Sequence, residues 1–92
     1  MTNQTDVDTV LDERGAFYGT FSGTARVAQQ LKHCLRQGDS HHRLSADQKE
    51  SLDLIATKLA RIVNGNPEYA DSWIDIAGYA KLVADRLEGT VR

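Results

Sequence analysis

Between Ser45 and Gly65 the apolar positions Leu52, Ile55, Ala56, Leu59, Ile62 and Val63 recur every three or four residues, the period of a helix with one buried face. Ser45 followed by Gln48 is a capping-box pattern, and Asn64-Gly65 ends the run. Asn66-Pro67-Glu68 then supplies a cap, a first-turn proline and a first-turn acid for a further helix, whose expected core stripe is Trp73, Ile76, Ala77, Ala80, Val83, Ala84 and Leu87. Upstream, Val27, Ala28, Leu31 and Leu35 mark a helix from about Thr24 to Arg36, ended by Gly38. A short helix capped by Thr5 or Asp6 carries Val7, Val10 and Leu11 through about Arg14, where Gly15 is expected to stop it. The segment GAFYGTFSG reads as an ordered aromatic loop, since flexible linkers lack large apolar rings, and QGDSHHR reads as a polar loop. These elements predict one all-α domain over residues 1–92, a small four-helix bundle-like fold with one short and three longer helices. Residues 1–5 and 89–92 are expected to be flexible ends.

Composition narrows the classes. At 92 residues a single core is only marginally stabilising, so association with further copies of the chain is expected. A formal net charge of -2 removes the broad positive field that nonspecific nucleic-acid or anionic-membrane binding needs. The lone Cys34 excludes an internal disulfide and fits a reducing compartment. No apolar run reaches transmembrane length, and the polar, acidic start MTNQTDVDTV is unlike a targeting segment, so the cytoplasm is the expected location.

Both long helices carry a second patterned face. At about 100° per residue, Glu50, Leu54, Thr57 and Arg61 form one line with Lys58 on its flank. Asp71, Asp75, Gly78 and Leu82 form another, with Ile74 beside it. A helix that only covers a core shows solvated Lys and Glu opposite its apolar stripe. Leucines, a threonine and a glycine among the charges suggest a surface that meets another helix, another subunit or a ligand. A purely structural account is equally available: antiparallel neighbours would pair Arg61 with Asp71 and Lys58 with Asp75, and Gly78 would mark close packing.

The combination of YGTF at Tyr18 to Phe21, LDLIATKLARIVNG from Leu52 to Gly65 and YADSWIDIAGY from Tyr69 to Tyr79 resembles a family of small phage and prophage proteins of unknown function. It is also similar to nucleotide modification associated domain 1, with its Tyr-Gly pair, its Lys-x-x-Arg-Ile helix and its Asp-x-x-x-Asp helix followed by Gly-Tyr. The resemblance spans about Leu11 to Leu87 and implies a phage-encoded protein of nucleotide metabolism or anti-defence, on a scaffold distantly similar to MazG-like pyrophosphohydrolases. The location would then be the host cytoplasm. The matching positions are Tyr18, Gly19, Lys58, Arg61, Asp71, Asp75, Gly78 and Tyr79.

Two function classes follow. In the favoured one the protein binds and sequesters a nucleotide-like molecule without a cofactor, in a cleft between helices or subunits. Lys58 and Arg61 meet phosphate, Phe17, Tyr18 or Phe21 stacks on the base, and Asp75 accepts from ribose or base, with Gly78 admitting the ligand to the backbone. In the other, Glu50, Asp53, Asp71 and Asp75 hold Mg²⁺ for pyrophosphate hydrolysis. The MazG pattern of two glutamates three apart facing a Glu-x-x-Asp pair is, however, missing from the third helix and differently spaced on the fourth. A protein-binding inhibitor of a host defence enzyme is a third class. His33, Cys34, His41 and His42 are zinc-ligand types without ligand spacing, and the basic scatter of Arg26, Lys32, Arg36 and Arg43 reads as solvated surface.

Overall fold

The computed structural model describes residues 4–92, with side chains described from Asp6 onward. It is all-helical, with no strand among the described residues. Helices α1 (Gln4–Tyr18), α2 (Phe21–Leu35), α3 (Ala46–Asn64) and α4 (Ala70–Leu87) follow one another, with a 3-10 turn at His41–Arg43 inside the expected polar loop. The N-terminal tail expected over residues 1–5 falls outside the described residues at 1–3, and α1 already begins at Gln4.

Three boundaries differ from expectation. Gly15 does not stop α1: its carbonyl accepts from the Gly19 N–H at 3.0 Å, so the helix runs on to Tyr18 and is as long as α2. Termination falls instead on Gly19, whose φ of 76° is the left-handed conformation that ends helices. The aromatic segment is therefore mostly helical rather than a loop. Its break is Gly19-Thr20, and α2 starts at Phe21 because Thr20, not Thr24, is the N-cap, accepting from the Gly23 N–H at 3.2 Å. Asn66-Pro67-Glu68 forms a turn ahead of α4 rather than its first turn: Asn66 accepts from the Glu68 N–H on Oδ1 (3.0 Å) and from the Tyr69 N–H on its carbonyl (3.1 Å).

The central helix is α3, which packs on α4 along one flank and on α2 along the other, while α1 leans on the α2–α3 junction. The capping box forms, with the Ser45 N–H donating to Gln48 Oε1 at 2.9 Å. Arg86 of α4 closes over this end, donating from Nε to Asp47 Oδ2 (2.7 Å) and from Nη2 to Ser45 Oγ (2.8 Å). Further along, Ser51 Oγ donates to the Tyr79 carbonyl at 2.9 Å, and Lys58 pairs with Asp75 at 2.9 Å. Falling partner numbers against rising ones establish that α3 and α4 are antiparallel, as expected from their short connection.

Those contacts also set the rotation of α4, and here the expected core is corrected. The face turned to α3 is Ser72, Asp75, Ile76, Tyr79 and Val83. Ile76 and Val83 of the expected stripe are half-buried there, but Trp73, Ala77, Ala80, Ala84 and Leu87 are exposed, Trp73 by 53% and Leu87 by 60%. On α3, Leu59 and Val63 are likewise exposed. The buried apolar core is small: Ala28, Ala56, Ala60 and Ile62. The C-terminal residues, expected to be flexible, fold back along α4, with the Thr90 N–H donating to the Asp85 carbonyl (2.7 Å) and Arg92 Nε to the Asp85 carboxylate (2.7 Å). Lys81 and Arg92 around buried Asp85 hold its carboxyl below the usual carboxylate range.

Candidate functional site

The α1–α2 break is held against the end of α3 by one side chain. Asn64 Nδ2 lies within donating distance of the Tyr18 and Thr20 carbonyls (3.1 Å each) and of Thr24 Oγ1 (3.0 Å), and the Thr24 hydroxyl donates to the Tyr18 carbonyl (3.1 Å). Gly65 approaches so closely that a Cβ there would run into the backbone of Phe17 and Tyr18. The Asn66 N–H completes the junction by donating to the Phe17 carbonyl at 2.7 Å. Through these bonds the sequence-distant ends of α1 and α3 fix where Tyr18 stands.

Three rings pack at that point. Phe17 stacks on Tyr69 with centroids 4.2 Å apart, and Tyr18 meets Tyr69 edge-on at 5.9 Å. The Tyr69 hydroxyl donates to Asp71 at 2.9 Å, and this bond to the carboxylate raises the phenol's pKa above its ordinary value. On its other side Tyr18 carries the Arg61 guanidinium, 4.6 Å from its centroid.

Arg61 and Tyr18 form part of the wall of a cavity of about 490 Å³ between α1, α2 and α3. Arg14 and Gly15 come from α1, Gly19 from the break, Phe21, Thr24, Ala28, Gln29 and Lys32 from α2, and Thr57 from α3. Three cations thus share a wall that carries no carboxylate among the described residues, and none of the three is ion-paired there. Phe21 is 88% exposed at the rim. Cations free of acid partners beside an aromatic face can hold a phosphorylated, ring-bearing anion, and the volume lies in the range of small-molecule sites.

The structure divides the residues expected to share one cleft. Tyr18, Gly19, Phe21 and Arg61 meet at this cavity. Lys58 instead faces α4, where Asp75 neutralises it and its side chain is only 13% exposed. Asp75, Gly78 and Tyr79 border a shallower hollow along α4 with Ile74 and Leu82, and Asp71 serves Tyr69 at the helix start. The expected Arg61–Asp71 pair is replaced by the cation–π contact. Gly78 has open space where a Cβ would stand, so close packing within the chain does not require it. Among the described residues no group of three or more His, Cys, Asp or Glu converges on a metal-sized point. Glu50, Asp53, Asp71 and Asp75 are therefore not gathered into one such group within the chain, nor are His33, Cys34, His41 and His42.

Sequence reasoning missed Arg14, Gln29 and Lys32. Lys32 was legible in one respect: it follows Thr24 and Ala28 at four-residue steps, on the flank of the face that packs against α3.

Fold and cavity together define a small all-helical protein with a cation- and ring-walled pocket at the junction of its first three helices. The chain belongs to the family DUF6378, a domain of unknown function whose pattern matches residues 4–87. That description assigns neither activity nor ligand, so the resemblance to nucleotide modification and MazG-like proteins gains no support from it. No curated protein and no solved structure matches the chain. Among the described residues no helix is long and apolar enough to cross a membrane.

Proposed function

We propose that the protein binds and sequesters a nucleotide-like ligand in the cavity between α1, α2 and α3. Phosphate oxygens meet Arg61, Lys32 and Arg14, and the base lies against Phe21 or the free edge of the Tyr18–Arg61 stack. The observation that carries this reading is the set of three cations, without a carboxylate partner among the described residues, beside aromatic rings in one cavity. Arg61 is its centre, because it sits 4.6 Å from the Tyr18 ring centroid and carries the N–H fork for a bidentate phosphate contact. The biological setting we propose, from the resemblance to phage proteins, is withholding of a nucleotide signal from host immunity in the cytoplasm.

A thermal-shift panel of nucleoside triphosphates, cyclic nucleotides and ADP-ribose derivatives, with and without Mg²⁺, tests the proposal, since a ligand of the native state alone raises stability by mass action. Stabilisation is expected without Mg²⁺ and with the nucleotide recovered intact. Arg61→Lys keeps the charge and loses the fork, and affinity should fall by about 1 to 3 kcal/mol, the scale of a charged hydrogen bond. No stabilisation by any phosphorylated nucleotide, or equal stabilisation of wild type and Arg61→Lys, would discard it.

A further inference from the structure

The exposed face of α4 is apolar where a solvated helix is polar. Trp73, Ala77, Ala80, Ala84 and Leu87 fall on one stripe at steps of four, three, four and three, the spacing of a helix–helix seam. Of the charges beside it, Lys81 is turned to Asp85 of its own helix at 3.1 Å and Glu88 stands at the helix end. The Trp73 indole is fixed by its N–H donating to the Pro67 carbonyl at 2.9 Å, and its ring remains half open to solvent. This face is independent of the ligand cavity.

The dimensions of the chain say how much cover it lacks. A compact monomer of 10.2 kDa presents about 5,300 Å² of accessible surface. This chain presents 6709 Å². Its radius of gyration is 15.6 Å, against about 12 Å for a closed domain of this length. The excess of roughly 1,400 Å² is more than the three residues outside the description can supply, and it exceeds the roughly 800 Å² that each partner contributes to a standard interface. No large side chain among the described residues is fully buried. A fold whose own core is three alanines and an isoleucine is completed by a surface of matching chemistry.

We propose that the occupant is a second copy of this chain, its α4 packed antiparallel on this α4 about a two-fold axis near Ala80. The stripe is self-complementary in that arrangement: Trp73 and Leu87 stand seven residues to either side of Ala80, so each Trp73 meets the partner's Leu87. Alanines lie between, where the helices approach most closely. Such an interface is isologous and closes at two copies.

Light scattering coupled to gel filtration should give about 20 kDa, twice the 10.2 kDa chain. Trp73, the sole tryptophan, should then emit at shorter wavelength and resist acrylamide quenching, both effects fading on dilution. Ala80→Glu should weaken dimerisation at least tenfold. Because that variant can also unfold a chain that depends on its partner, Ala80→Cys in a Cys34→Ser background provides the second arm. It should cross-link to a disulfide dimer on mild oxidation, whereas Gln30→Cys on α2 should not. A 10.2 kDa species at high micromolar concentration with Trp73 open to quencher overturns the proposal, as does a dimer indifferent to Ala80→Glu that fails to cross-link through position 80.

Discussion

Two regions of this molecule are built on opposite terms. At the junction of α1, α2 and α3, Asn64 is within hydrogen-bonding distance of three oxygens and Gly65 lies against the Phe17–Tyr18 backbone, with no room for another atom. Along the outer face of α4, Trp73, Ala77, Ala80, Ala84 and Leu87 stand exposed, with Trp73 tied only by its N–H to the Pro67 carbonyl. The first region is closed by backbone geometry and hydrogen bonds, the second is open and apolar. The contrast teaches that local order and a completed core are separate achievements: directional bonds between a few groups fix the site, while area on the scale of a domain requires large opposed surfaces.

The hardest blow to the closed region is Gly65→Ala, whose methyl would force the α1 end away from α3. Chemical denaturation should show a loss of about 2 to 4 kcal/mol, the range of backbone displacement at a tight contact. A loss under about 0.5 kcal/mol, the scatter of ordinary surface substitutions, would show the junction to be loose and dissolve the contrast. Asn64→Ala removes the buckle but leaves room, so its effect should be smaller, about 1 to 3 kcal/mol for acceptors left without a partner. The nucleotide binding proposed above should weaken with it, because Tyr18 and Arg61 lose their footing.

On the open side the expected sign reverses. Gly78→Ala adds a methyl into empty space on an exposed helix position and should stabilise by up to about 1 kcal/mol. A destabilised Gly78→Ala would reveal that something closes over this line of α4 in solution and would enlarge the region lacking cover.

The smallest effect belongs to the ion pair that ties α4 to the capping box. Hydrogen bonds from the Arg86 guanidinium, then from Ser45, lower the Asp47 pKa from 3.8 to about 2. A depressed carboxylate stabilises the fold above its unfolded pKa, and that contribution fades as pH falls from about 4 to about 2. Asp47→Asn should flatten the acid limb of a melting-temperature profile over that window and leave the profile above pH 5 parallel to wild type. Being exposed and screened, the pair should also weaken with added salt.

How much of this was legible in sequence differs between the same two regions. The Ser45–Gln48 box and the stop at Asn64-Gly65 rest on contacts three or four residues apart, and they stand where expected, whereas Leu59 and Val63 of the apolar stripe of α3 are exposed. Gly15 and Gly19 look alike in sequence, yet only Gly19 has the left-handed backbone, and that depends on how α2 turns back upon α3. The candidate site was half legible. Tyr18, Gly19, Phe21 and Arg61 do meet, but Lys58 and Asp75 neutralise one another, and Arg14 and Lys32 were passed over because nothing in linear order brings α1 and α2 to the same wall.

The sequence by itself determined that four helices form, how α3 begins and ends, and that α4 bears an apolar stripe, because capping and the roughly 3.6-residue period are properties of one segment. Only the tertiary structure decided which way that stripe points. Helix periodicity records that a face avoids water, not what will cover it, and the rotation of α4 was settled by Ser51, Lys58 and Asp47, which hold its Tyr79, Asp75 and Arg86 inward and leave Trp73 and the alanines outward.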